Sequence, residues 1–213
     1  MTLPSRVDVI CPHCSQQQAA TVWSSVNVSI NPRLKSEVLS GDLFRMKCRN
    51  CDSLTMIEYP CLYHDAVLQF AIWMIGRGEI DAKMQTALQS FRGGVPSWYT
   101  LRLARRWREL AETVMLVDAG LNDMAVQFLK LQVIEETGDS GPWFVASHGL
   151  GGDPKALTLI GPGNRGVRVE LLEGYHRLVQ LLTDAHSNAV WTFANPDGAA
   201  DLVCSIAELR QER

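Results

Sequence analysis

The chain has 213 residues, of which 46% are hydrophobic and 20% charged, with a formal net charge of -3. That composition belongs to an ordinary folded protein able to bury a sizeable core, and the chain carries no internal repeat and no low-complexity tract. It also argues against a general affinity for nucleic acid, which needs an excess of Lys and Arg against phosphate. The longest apolar stretch, Ala66 to Ile75, falls well short of the roughly 20 residues that span a bilayer and contains Gln69. The opening Met-Thr-Leu-Pro-Ser-Arg lacks the apolar run of a secretory signal. The expectation is a cytoplasmic protein with no membrane partner, where paired cysteines are more often metal ligands than disulfides.

In chain order, Val7–Ile10 alternates and leads as a strand into Cys11-Pro12-His13-Cys14, and Val22–Ile30 reads as a second strand. Asn31 is placed to cap a short helix, Arg33–Ser40, with Pro32 at its first position and Gly41 beyond its end. From Asp42 to Cys48 alternation returns, with Phe44, Met46 and Cys48 on one side and Leu43, Arg45 and Lys47 on the other. Cys48-Arg49-Asn50-Cys51 follows, and Leu54–Tyr59 is the return strand of a hairpin. Val67–Ile75 is rich in β-branched and aromatic residues and is expected as a strand, whereas Gly76–Gly94 is ambiguous.

Leu103, Trp107, Leu110, Val114, Val117 and Leu121 recur at steps of four and three, which predicts a helix ending at Gly120. Asn122 caps a second helix carrying Met124, Phe128 and Leu131 and ending near Glu136, so the two form a helical hairpin. Beyond Thr137–Pro142, strands are expected at Trp143–Ser147, Ala156–Ile160 and Val167–Leu172, then helices at Tyr175–Ala185 and Ala199–Arg210. The fold class is therefore α+β: a zinc ribbon on a small antiparallel sheet, a helical hairpin and a C-terminal β-rich α+β part. The expected division is 1–95, 96–140 and 141–213, with the last part packing on the rest.

Chemistry concentrates in the two Cys-x2-Cys pairs, Cys11 with Cys14 and Cys48 with Cys51, separated by 33 residues. Each short pair can turn two sulfurs toward one tetrahedral ion, so these four are the expected ligands of one structural zinc ion. Closing the intervening loop costs roughly 3 kcal/mol of chain entropy, while structural zinc supplies an apparent ~10–16 kcal/mol at neutral pH. The metal dominates. A filled four-cysteine set leaves no open position for water or substrate, and four thiolates around one Zn2+ take the net charge to about -5. The competing redox reading of Cys11-Pro12-His13-Cys14 needs a helix N-terminus beside the first thiol, and Ser15-Gln16-Gln17-Gln18-Ala19-Ala20 carries no helical stripe.

These residues, with Asn31-Pro32-Arg33-Leu34-Lys35, Gly41-Asp42-Leu43-Phe44, Leu62-Tyr63-His64-Asp65, Ala119-Gly120-Leu121-Asn122-Asp123 and Phe128-Leu129-Lys130, resemble the bacterial and archaeal CpXC proteins over roughly residues 7–135. Arg49 departs from the Cys-Pro-x-Cys form common at that family's second pair. The resemblance implies a zinc-ribbon-like protein and carries over no catalytic residue.

Tyr63-His64-Asp65 invites a catalytic reading, yet neighbours on a strand face opposite ways, so His64 and Asp65 are not expected to pair. Cys61 with His64 supplies too few ligands for a second metal, and Cys61 reads as a small buried hydrophobe. Arg45, Lys47 and Arg49 form a basic stripe whose plain reading is local charge compensation. Arg105–Glu109 and Arg108–Glu112 are spaced as helical ion pairs, leaving Arg102 and Arg106 as a free couple. Neither Gly151-Gly152-Asp153 nor Gly161–Gly166 has phosphate-loop spacing, and Ser147-His148-Gly149 lacks the context of an esterase nucleophile. Trp98, Trp107, Trp143 and Trp191 are expected mostly in the core. The expected function is that of a non-enzymatic, zinc-stabilised interaction or adaptor protein that binds a protein partner or itself. A nucleic-acid-binding ribbon is the alternative, and an enzyme with a site near His64 a second.

Overall fold

A computed structural model describes residues 2–76, 78–146, 156–171, 173–185 and 191–201. It is α+β, as the sequence predicts, and divides into two compact units, Met1–Ala111 and Glu112–Arg213. No helix among the described residues is long and apolar enough to cross a membrane.

The first unit opens with a long hairpin. Strand β1 (Leu3–Ile10) pairs antiparallel with β2 (Gln17–Asn27), and the Cys11–Gln16 segment is the turn between them. The second strand thus starts earlier than Val22 and stops at Asn27, where the Asn27 side chain accepts the Ser29 N–H and bends the chain away. Helix α1 (Arg33–Ser40) lies where Asn31, Pro32 and Gly41 place it. Pro32 takes helical angles, and no side chain caps the start. Gly41 ends the helix at φ 79°, and a Cβ there would come within 2.7 Å of the Trp107 ring. Both its handedness and its missing side chain are therefore used.

Asp42–Phe44 is a 3-10 turn rather than strand, followed by β3 (Arg45–Lys47) and β4 (Leu54–Met56), an antiparallel hairpin whose turn holds the second cysteine pair. Phe44, Met46 and Cys48 are buried as their alternation predicts. Strand β5 (Cys61–Asp65) runs parallel to the end of β2 and antiparallel to β6 (Phe70–Met74). Val67 and Leu68 lie in the turn and are exposed. The ambiguous stretch resolves into α2 (Ala82–Gly93), capped by Asp81 accepting the Met84 N–H. Strand β7 (Thr100–Ala104) then pairs in parallel with β6, which makes the order β1-β2-β5-β6-β7.

That strand corrects the helix expected from Leu103: α3 (Trp107–Asp118) starts four residues later. Leu103 is one of a run buried on both faces, which erases the alternation that marks a half-exposed strand. Arg102 is 3% exposed and donates to the Leu101 carbonyl, so it forms no surface couple with Arg106.

In the second unit, α3 and α4 (Asp123–Thr137) form the expected hairpin, with Asn122 accepting the Ala125 N–H as the cap. The antiparallel sheet β8 (Phe144–Val145), β9 (Ala156–Ile160) and β10 (Gly166–Glu170), in the order β10-β9-β8, packs with α5 (Glu173–Ala185) around Leu116, Met124, Val126, Leu159 and Leu182. Gly161–Arg165 is the β9–β10 turn, closed by Gly161 N–H to the Arg165 carbonyl. Glu112 turns inward. It accepts from Lys130 at 2.5 Å, Gln127 at 3.2 Å and the Val145 N–H at 2.5 Å, all buried. Ser147–Gly149, Gly151–Asp153 and most of the helix expected at Ala199–Arg210 lie outside the described residues.

Candidate metal centre

Each cysteine pair occupies the tip of a hairpin, and the two tips meet. In the first, Ser15 N–H donates to the Cys11 carbonyl and Cys11 N–H to the Gln16 carbonyl, both at 2.9 Å. In the second, Asp52 N–H donates to the Cys48 carbonyl at 3.0 Å and Cys48 N–H to the Ser53 carbonyl at 2.9 Å. The residue after each second cysteine, Ser15 (φ 59°) and Asp52 (φ 55°), is left-handed. Two unrelated sequences thus adopt one knuckle, a tight turn that aims both sulfurs to the same side.

The sulfurs of Cys11, Cys14, Cys48 and Cys51 all lie within 4.8 Å of one another, with Cys11 to Cys51 at 3.8 Å and Cys14 to Cys48 at 3.6 Å. A regular tetrahedron with metal–sulfur bonds of 2.3 Å has edges of about 3.8 Å. The set has the size to hold one metal ion, and none of the four is in a disulfide. Cys11 and Cys48 are buried and Cys51 is exposed.

Two polar residues complete the site, and neither is singled out by the sequence reading. The Ser53 hydroxyl lies 3.1 Å from the Cys51 sulfur and 3.5 Å from that of Cys11. Gln18, on β2, donates to the Lys47 carbonyl at 3.0 Å and accepts the Arg49 N–H at 2.9 Å, tying the first hairpin to the second knuckle. Ser53 and Gln16 hold equivalent places, two residues after each second cysteine, and that internal symmetry is the signal that could have found Ser53.

The thiols do not behave alike. The Ser53 hydroxyl is the main cause that brings Cys11 down to about 6, and it also lowers Cys51. Cys48 goes up to about 11: the N–H groups of Cys51 and Asn50 pull it down, but burial and the adjoining Cys14 and Cys11 outweigh them. Four sulfurs this close cannot all carry charge without a cation among them.

The other candidates are dispersed. Cys61 is buried, and burial pushes its thiol up to about 12. It lies on the β5 face of Tyr63 and Asp65, opposite His64. Asp65 accepts the Val67 and Leu68 N–H groups and pairs with Lys35 at 3.4 Å, while the His64 ring faces Asn27, Phe91 and Tyr99. Asn27 donates to His64 Nδ1 at 3.3 Å, so Nε2 carries the hydrogen toward the Tyr99 oxygen. Burial keeps that imidazole below its ordinary value. In the basic stripe, Arg45 bonds Asp42 at 2.8 Å and Lys47 bonds Asp52 at 2.9 Å, along a groove of about 290 Å³ that Arg49 and Trp23 also line. Trp143 is buried as expected, whereas Trp98 is 65% exposed.

Paired knuckles on two hairpin tips beside a mixed sheet define a zinc-ribbon-like α+β protein. The sequence profile of the CpXC protein family matches residues 9–130, more than half of the chain, and this chain belongs to that family. No curated protein and no solved structure matches it.

Proposed function

We propose that Cys11, Cys14, Cys48 and Cys51 bind one structural zinc ion, and that the protein is a non-enzymatic interaction module whose metal fixes two hairpin tips. The observation that carries this reading is the closed set of sulfurs within 4.8 Å. Thiolate-only sites of tetrahedral size favour zinc among abundant divalent ions, and four protein ligands leave no position for chemistry. The hairpin β1–β2 is mostly exposed along its length, so packing alone holds it weakly and the metal supplies the missing restraint. A stiff, exposed ribbon suits recognition better than catalysis.

The nucleic-acid alternative loses ground because Arg45 and Lys47 each have an aspartate within ion-pair distance. The His64 alternative has both ring nitrogens already engaged. The test is metal analysis of the purified protein together with affinity capture from its own cell extract. One zinc per chain and a protein among the captured species support the reading, while nucleic acid released by salt supports the alternative.

A further inference from the structure

We propose that the outer edge of β1 pairs with the same edge of a second copy of this chain, forming a two-fold dimer whose sheet continues across the axis. The proposal rests on the interaction reading above and names its partner.

Strand β1 is eight residues long, ends the strand order, and pairs only with β2 among the described residues. Leu3, Val7 and Ile10 on it are 45%, 38% and 66% exposed. Native proteins blunt such edges or use them, because an open row of N–H and C=O groups is a template for another strand.

The main-chain phase says which groups are open. Cys11 N–H bonds the Gln16 carbonyl, and this pair continues the register in which Ile10 faces Gln17 and Val9 faces Gln18. Antiparallel ladders alternate, so Val9, Val7 and Ser5 spend their main-chain groups on β2. Ile10, Asp8, Arg6 and Pro4 point theirs outward. Pro4 fits this phase, because its missing N–H falls where β2 loses nothing.

The charge pattern then selects one register. Centring two antiparallel copies on Arg6 sets Arg6 against Arg6, and centring them on Asp8 sets Asp8 against Asp8. Centring on Val7 sets each Arg6 against the second copy's Asp8, with a reciprocal pair of main-chain bonds at each. Ile10 N–H then meets the Pro4 carbonyl, the one group Pro4 still offers. The two Val7 side chains meet on the axis, on the face shared with Ala20, Val22 and Val9. An eight-residue edge buries less than the roughly 1,000 Å² of a permanent interface, so the dimer forms and dissociates with concentration. It also needs the metal, since the turn between β1 and β2 is the first knuckle.

Sedimentation of the zinc-loaded full chain across the micromolar range tests this. The expected mass rises with concentration from 23.7 kDa toward about twice that value. Arg6→Asp and Asp8→Arg each weaken the dimer roughly ten-fold, and the double variant restores it. Asp8→Pro, which removes both an outward N–H and the carboxylate set against Arg6, abolishes it without changing the monomer's thermal melt. A monomer at every concentration, a dimer indifferent to Asp8→Pro, or a double variant no better than the singles overturns the proposal. A zinc-loaded monomer that still captures a foreign protein overturns self-pairing and leaves the interaction reading standing.

Discussion

Ser53 touches two sulfurs, one buried and one exposed, and this makes a hydroxyl two residues past a cysteine part of the candidate metal site. A group in that position orients its ligands and lowers the cost of their negative charge, so Ser53→Ala is expected to weaken metal binding about 10- to 100-fold in a chelator competition. The thiols themselves predict an order of reactivity. Among the described cysteines of metal-stripped native protein, exposed and lowered Cys51 is alkylated first and Cys61, buried and pushed up to about 12, last, as peptide mapping would read. The same values fix a pH profile for that metal-free state. Cys11 falls from 9.0 to about 6 on folding, so its contribution is complete above pH 9 and disappears as pH drops through 6. Cys48 rises from 9.0 to about 11, so its contribution holds below pH 9 and disappears as pH climbs through 11. Melting temperatures of the stripped protein should peak near pH 9. Gly41 is a different kind of residue effect: Gly41→Ala meets both a φ of 79° and the Trp107 ring, and is expected to cost about 2 kcal/mol or more in denaturant unfolding.

Elements bounded by strong punctuation could be read from the chain, and those buried on all sides could not. Pro32 and Gly41 bracket α1, and Asn122 caps α4, because a proline at a helix start, a side-chain cap and a left-handed glycine are local chemistry. The four-cysteine cluster was legible for the same reason, since its spacing is itself the signal. In contrast, β7 hid behind an accident: Leu103 lies four residues before Trp107 and so extends the stripe of α3 backward. Leu101–Ala104 is buried on both faces, as strands in parallel sheets usually are, which leaves no period of two to detect. Helix α4 concealed a polar core in the same way. Gln127 and Lys130 are polar, yet both are buried on Glu112, a long-range pairing that no local pattern encodes. Lys130→Met should therefore destabilise the fold by about 3–5 kcal/mol, by stranding the Glu112 carboxylate, and Glu112→Gln in the same chain should recover part of that loss. Urea titrations of the parent chain and the two variants measure it.

Across the chain, the four-cysteine set brings together segments that main-chain pairing leaves apart, because β1–β2 and β3–β4 belong to different sheets. Removing the ion should therefore act selectively. Amides of Cys11–Gln16 and Cys48–Ser53 are expected to lose hydrogen-exchange protection in chelator, while those of β5, β6 and α4 keep theirs. The family match covers residues 9–130, which include both knuckles, α3 and the first half of α4. Zinc absorption spectroscopy at the K edge, on protein as purified, probes the site most directly. Four sulfur neighbours at about 2.3 Å are predicted. Nitrogen or oxygen in the shell, or a protein carrying no metal and an oxidised cysteine pair, would contradict the account.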